Sequence, residues 1–384
     1  ASFRKTIQVS GDKSLSIRWI LLSSLATGVS KSRNLLMSED VLAAVKIIKK
    51  FGVNVIFKKG ICYVYGRGIN GYLYKKNLTI NAQNSGTLGR LILGLIINTP
   101  FPIKLIGDKS LSKRDFKRVT EPLSKFGSKF KLAKNKSLPL VIYGNPKPKG
   151  INFFEKIGSA QCKTSVLFAG LRSSGITFIK AKKSRNHTEL LCKYLKLPVV
   201  VNEKKNYDEI KVKKVKKINP INYNIPSDIS SAAFFIVLTA LNKGSKLIIK
   251  NVNINPSRMG IVNILKRMGI KIRIEKKRVY KNEKIANIYV EGSYKIRPIN
   301  CPTKFNSEAI DEFLIIFLIA AKANGVSYFK NIGELNKKES PRLKWGAKIL
   351  NLMGVKNITT NNSIKIFGNP DLKIKKNIII KNFL

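Results

Sequence analysis

One pattern, written five times along the chain, constrains the fold more than any other feature. GDKSLSIRWILLSSLATGVSKSRNLLMSEDVLAAVKIIKKFGVNV from Gly11 aligns almost without gaps with PSDISSAAFFIVLTALNKGSKLIIKNVNINPSRMGIVNILKRMGIKI from Pro226. Each reads as a polar turn, an apolar helix, a Gly-bounded strand, an amphipathic helix closed by Gly52 or Gly269, and a strand of alternating pattern. Further copies begin near Asn84, Gly158 and Ile310. The starts fall about 70–80 residues apart, so a sixth would begin near the last residue. Five copies are expected where two domains of three units would need six.

Local chemistry supports the helices within a copy. Ser38 can cap the helix that follows it, Glu39 and Asp40 suit its positive end, and Val41, Val45 and Ile48 give helical spacing. Gly52 then supplies the left-handed position that ends it. The first helix of each copy is apolar nearly all round, Ala232 to Leu241 for example, and full burial is expected.

The 384 residues exceed what one core organises, so two large domains are expected. No apolar signal region opens the chain, and the apolar stretch Phe313 to Ala321 is too short to cross a bilayer. A cytoplasmic protein with no membrane partner is expected. Cys62, Cys162, Cys192 and Cys301 form no CxxC pair and His187 is the only histidine, which disfavours disulfide frameworks and metal clusters. Chemistry is left to carboxylates, lysines and arginines, with no cofactor and no metal expected. A net charge of +52 would ordinarily suggest nucleic acid. Lysine dominates it, however, and is spread over the whole chain with Asn and Ile, as biased coding composition would produce. Specific nucleic-acid binding is therefore not expected.

Every copy opens with small or polar residues before its buried helix: Gly11 to Ser14, Asn84 to Thr87, Gly158 to Gln161, Ser227-Asp228 and Ile310 to Glu312. Such starts can simply cap helices, but they also present free N–H groups to anions. Lys13, Arg18, Arg90 and Arg114 beside them suit a multiply anionic ligand.

At these segments the chain resembles the EPSP (5-enolpyruvylshikimate-3-phosphate) synthase family, from about Phe3 to about Asn357. GDKSLSIR is similar to the family's GDKSISHR, NSGTLGRL to NxGTxxR, and KRDFKRVTEPLSKFG to its second arginine motif. GSAQCKTSVLFAGL, SRNHTE, IPSDISSAAFF, NINPSRMGIVNILKRMG, IDEFLIIFLIAAKANG and ELNKKESPR follow in order, in forms that look bacterial. The resemblance implies an α/β (α+β) fold, a two-domain inside-out α/β barrel of βαβαββ repeats that closes on its substrates. Residues 12–225 would hold three repeats, and 226–384 with 1–11 would hold two. It implies a monomer that joins phosphoenolpyruvate to shikimate 3-phosphate. UDP-N-acetylglucosamine enolpyruvyl transferase and a basic RNA cyclase-like protein of the same fold are the alternatives. Lys13-Ser14 in place of the nucleotide-sugar enzyme's Lys-Asn, and the lack of a cysteine between Asp108 and Arg118, favour shikimate 3-phosphate.

By the same resemblance Asp311 takes the hydroxyl proton, Glu339 serves at C3 of phosphoenolpyruvate, and Lys13 bridges both substrates and assists proton transfer. Ser14, Arg18, Ser159, Ala160, Ser184, Arg185, Glu334 and Lys338 match shikimate 3-phosphate contacts. A backbone N–H at Ala160 stands where the family has a hydroxyl. Asn84, Gly86, Arg114 and Arg342 match positions on the phosphoenolpyruvate side, and Gln161 lies between the substrates. Asn84 and Asp228 also match residues that shape the cleft and hinge. Pro341 replaces an aspartate, and a proline is tolerated in a first helical turn. Nothing after Gly368 resembles the family's later Asp-His-Arg motif or lysine. Low synthase activity is therefore expected of these 384 residues, with Lys373 to Lys381 the nearest alternative source of cations.

Overall fold

The structure, a computed structural model, describes residues 1–134, 136–293 and 295–374. Most of the basic stretch from Lys373 to Lys381 thus lies outside the described residues. The chain divides into two compact units, one of Ser10–Ile225 and one of Ala1–Val9 with the chain from Pro226.

Each repeat contributes two helices. In the first unit these are α1 (Lys13–Ser24) and α2 (Glu39–Lys50), α3 (Gly86–Leu95) and α4 (Lys117–Ser124), and α5 (Ala160–Arg172) and α6 (His187–Tyr194). The second unit holds α7 (Ile229–Ala240), α8 (Gly260–Arg267), α9 (Phe313–Ala321) and α10 (Arg342–Leu352). The α2 boundaries follow from its sequence. Ser38 Oγ accepts from Val41 N, Glu39 and Asp40 lie in the first turn, and Gly52 has φ +83°.

One sheet topology recurs. In the first unit Leu78–Asn81 runs parallel to Ile103–Ile106, which pairs antiparallel with Leu140–Tyr143 and then Lys129–Leu132. The same order relates Asn152–Glu155, Ile176–Lys182, Tyr207–Lys213 and Val199–Glu203. Tyr223–Asn224 completes the first repeat by pairing with Thr27–Arg33. In the second unit Arg4–Ile7 does the same for Lys246–Asn253, so the first strand of the chain completes a repeat that begins more than 200 residues later. The last sheet has three strands, with an Asn300↔Tyr328 bridge where the others have a fourth.

The inner helices of the first unit are the buried ones. Helix α3 packs against both α1 and α5, and Leu91, Ile92, Leu93 and Leu95 are fully buried. Each such side chain contributes about 1.5–3 kcal/mol on leaving water. A Cβ on Gly94 would lie 2.2 Å from Ser165 O, so glycine there lets α3 and α5 approach closely. The expectation of full burial fails in the second unit. Phe234 is 63% and Leu238 56% exposed on α7, with Phe235 and Leu314 partly exposed as well. Helices α7 and α9 pack on each other, and these faces stay uncovered among the described residues. None of the helices among the described residues is long and apolar enough to cross a membrane.

Candidate active site

In the first unit the site is built from helix starts. Asp12, Ser85 and Ser159 cap α1, α3 and α5 through Leu15 N, Leu88 N and Cys162 N, leaving other first-turn N–H groups for a ligand. The turn before α5 is shaped by buried Glu155, which accepts from Ile157 N at 3.1 Å and Gly158 N at 2.6 Å. Ala160 is the first residue of α5 and Gln161 the second. Gln161 joins two helices: Arg90 Nη1 donates to its Oε1, and its Nε2 donates to Thr87 Oγ1 at 2.9 Å.

Arg90 is the functional-type residue that the motif reading left without a role. It is buried on α3, donates to Asp115 O at 3.1 Å and lies over the Phe116 ring. Burial, reinforced by neighbouring Arg114, pushes its guanidinium down to about 10, so it stays cationic near neutrality. Arg114 reaches the same helix start by way of a pinned loop. Asn84 Nδ2 donates to Asp108 Oδ2 at 2.6 Å, and Asp108 Oδ1 accepts from Leu111 N at 2.7 Å. A Cβ on Gly86 would fall 2.6 Å from Arg114 Nη1 and 3.0 Å from Arg90 Nη1. Glycine at this position makes room for two guanidinium groups at one helix N-terminus.

Arg18 is buried on α1 and fixed from three sides. It donates to Ser14 O at 3.1 Å, to Thr188 Oγ1 at 2.6 Å and to Thr164 Oγ1 at 3.4 Å. Lys13 is half-exposed and pairs with Asp40 at 3.4 Å. Ser184 and Arg185 occupy the turn before α6, and Ser184 Oγ is buried with no hydrogen-bond partner among the described residues.

In the second unit the carboxylates gather on one arginine. Arg342 Nη1 lies 3.3 Å from Asp311 Oδ1, while Nε donates to Glu339 Oε1 at 3.0 Å and Nη2 meets the same oxygen. Lys338 Nζ stands 3.9 Å from Asp311 Oδ1. Burial works to lower Arg342, but the two carboxylates outweigh it and hold the guanidinium above its ordinary value. Asp311 is not the cap of α9, a position that Glu312 holds without a side-chain bond. Glu312 instead accepts from Ser230 Oγ at 3.1 Å, and Ser230 Oγ accepts from Arg258, itself 3.2 Å from Asp228. Pro341 is the N-cap of α10, one position before its first turn. Glu334 sits exposed on a short 3₁₀ turn and pairs with Lys337 at 2.7 Å.

The family model described as EPSP synthase (3-phosphoshikimate 1-carboxyvinyltransferase) matches residues 1–376. A protein of Ruthia magnifica named 3-phosphoshikimate 1-carboxyvinyltransferase is 38% identical over 94% of this chain and 82% of its own length. A namesake from Sulfurihydrogenibium is 40% identical over 88% of this chain and 78% of its own length. Among solved structures, EPSP synthase of Acinetobacter baumannii superposes with a TM-score of 0.84 at 34% identity, covering 96% of this chain and 82% of that one. The enolpyruvyl transferase NikO of Streptomyces tendae shares the fold, with a TM-score of 0.71 at 13% identity and the same coverage. On this evidence, with the repeat topology and the ordered motifs behind it, the chain belongs to the EPSP synthase family.

Proposed function

We propose that the chain transfers the enolpyruvyl group of phosphoenolpyruvate to the 5-hydroxyl of shikimate 3-phosphate, releasing phosphate in a step of aromatic amino-acid biosynthesis. Family membership supports the reaction. The observation that carries the reading to residues is the convergence of Arg90, Arg114 and Gln161 on the capped starts of α3 and α5. Cations and unpaired helix N–H groups together suit phosphate and carboxylate groups.

In this reading Arg18, with Ser14, holds the ring carboxylate. Ser159, Ala160 N–H, Ser184 and Arg185 receive the 3-phosphate, with Glu334 and Lys338 as further contacts. Gly86, Arg114 and Arg342 serve phosphoenolpyruvate, Asn84 holds the loop that carries Arg114, and Gln161 sits between the substrates. Asp311 accepts the hydroxyl proton as the oxygen adds to C2, and Glu339 delivers a proton to C3. The resulting ketal collapses with loss of phosphate and of a C3 proton. Arg342 orients both carboxylates, and Lys13 bridges the two substrates and assists proton transfer. The same reading gives residues 12–225 three repeats and the remainder two, and takes the protein as a cytoplasmic monomer with two small-molecule partners.

The test compares acceptors. Phosphate release from phosphoenolpyruvate is followed with shikimate 3-phosphate and with UDP-N-acetylglucosamine, alongside calorimetric binding of each acceptor. Binding and release that follow shikimate 3-phosphate support the proposal. Binding of the nucleotide sugar alone, or release that ignores the acceptor, overturns it.

A further inference from the structure

Lys163 lies one turn into α5 with its side chain fully buried, and its Nζ is 2.6 Å from Oε1 of Glu189, itself 5% exposed. No step of the proposed reaction uses either residue. Two charges buried together are no more stabilising than an apolar pair of similar volume, so packing alone does not account for them. A second contact does: Lys163 Nζ donates to the backbone carbonyl of Arg185 at 3.0 Å. Glu189 anchors the ammonium from the first turn of α6, and the ammonium holds the turn that precedes that helix.

The neighbouring bonds clamp the same segment from its other side. Thr188, one residue before Glu189, accepts from Arg18 at 2.6 Å and shares a 2.8 Å hydrogen bond with Thr164, one residue after Lys163. Successive residues of α5 thus grip successive residues of α6. The gripped turn carries Ser184, whose buried Oγ lacks a hydrogen-bond partner among the described residues, and Arg185, whose carbonyl is the point held.

We propose that Lys163 and Glu189 are positioning residues that fix the 184–186 turn, and so set the preference for a phosphorylated ring over its unphosphorylated counterpart. This rests on the reading of Ser184 and Arg185 as phosphate contacts. The pair is neutral as a unit, so it acts through geometry: shifting the Arg185 peptide moves the groups on both sides of it.

The test measures affinities of the full chain for shikimate 3-phosphate and for shikimate by calorimetry, with melting temperature as the check on folding. In Lys163→Met/Glu189→Leu both charges are gone together, so neither is stranded in the core. Affinity for shikimate 3-phosphate should fall about tenfold, the worth of one charge-assisted contact, while shikimate affinity stays within about twofold. In turnover, KM for shikimate 3-phosphate should rise with kcat little changed. Glu189→Gln, which keeps shape and a carbonyl acceptor for Lys163, should show the same loss of preference at about threefold and serves if the double variant does not fold. Equal loss of both affinities, or none, in a folded variant overturns the proposal. Ser184→Ala separates the two layers of inference. If it leaves the preference intact, the phosphate reading fails. If it lowers the preference while the Lys163 and Glu189 variants do not, the positioning role fails.

Discussion

Gly86→Ala tests whether glycine is there to admit Arg114. The new methyl would stand 2.6 Å from Arg114 Nη1 and 3.0 Å from its Cζ. Contact at van der Waals distance requires the guanidinium to retreat by roughly 0.8 Å. The atoms met are the tips of long side chains, so they can move without the backbone, and Gly86 is not in a left-handed conformation. Alanine within α3 is also favoured over glycine by about 0.5–1 kcal/mol. Stability should therefore hold, with the melting temperature within about 3 °C of the parent. Displacing Arg114, the proposed phosphoenolpyruvate ligand, by nearly 1 Å is a different matter, because misplacement of that size can cost about 100-fold. Phosphoenolpyruvate affinity, titrated calorimetrically without acceptor, should fall about 10- to 100-fold. In an Arg114→Ala background the same substitution should cost much less, since the group it displaces is already gone. Unchanged affinity in Gly86→Ala, or two losses that multiply in full, would refute the steric argument.

Other substitutions address separate parts of the account. In a form of the protein with ordinary turnover, Asp311→Asn and Glu339→Gln should each lower kcat by about 100-fold or more while shifting shikimate 3-phosphate affinity only a few-fold, as steady-state kinetics beside calorimetry will show. Ser159→Ala should cost about 1 kcal/mol of stability through loss of the α5 cap, and should also weaken shikimate 3-phosphate binding. Burial pushes the thiols of Cys62 and Cys301 up, to about 12 and about 11, and raises Cys162 and Cys192 as well. Below those values the thiols stay protonated, so at about pH 8 a thiol reagent should find almost no reactive group until denaturant exposes all four.

What the sequence disclosed was the part written locally. The repeat and the Ser38 to Gly52 helix could be read because caps, charges and glycines lie within a few residues of the structure they set. Asp311 and Arg342 were named from motifs, but their 3.3 Å contact joins residues 31 positions apart and no spacing rule foretells it. Arg90 was visible as a cation near a helix start, yet its bond to Gln161 spans 71 positions and appears only once α3 and α5 pack. Lys163 carries no local signal for the same reason, since its partner belongs to another helix. The burial error on α7 has a different origin. A helix apolar on every side carries no moment to say which face meets solvent, so the exposure of Phe234 and Leu238 was not encoded in their pattern.

The most direct measurement is calorimetric titration of shikimate 3-phosphate into this chain and into Arg18→Ala. Arg18 is already held by Ser14, Thr164 and Thr188, so it is preorganised to meet a carboxylate. One molecule should bind per chain, with affinity that weakens as salt is raised, and binding should be lost in the variant. Absence of binding in the parent, or the same affinity in both proteins, would contradict this.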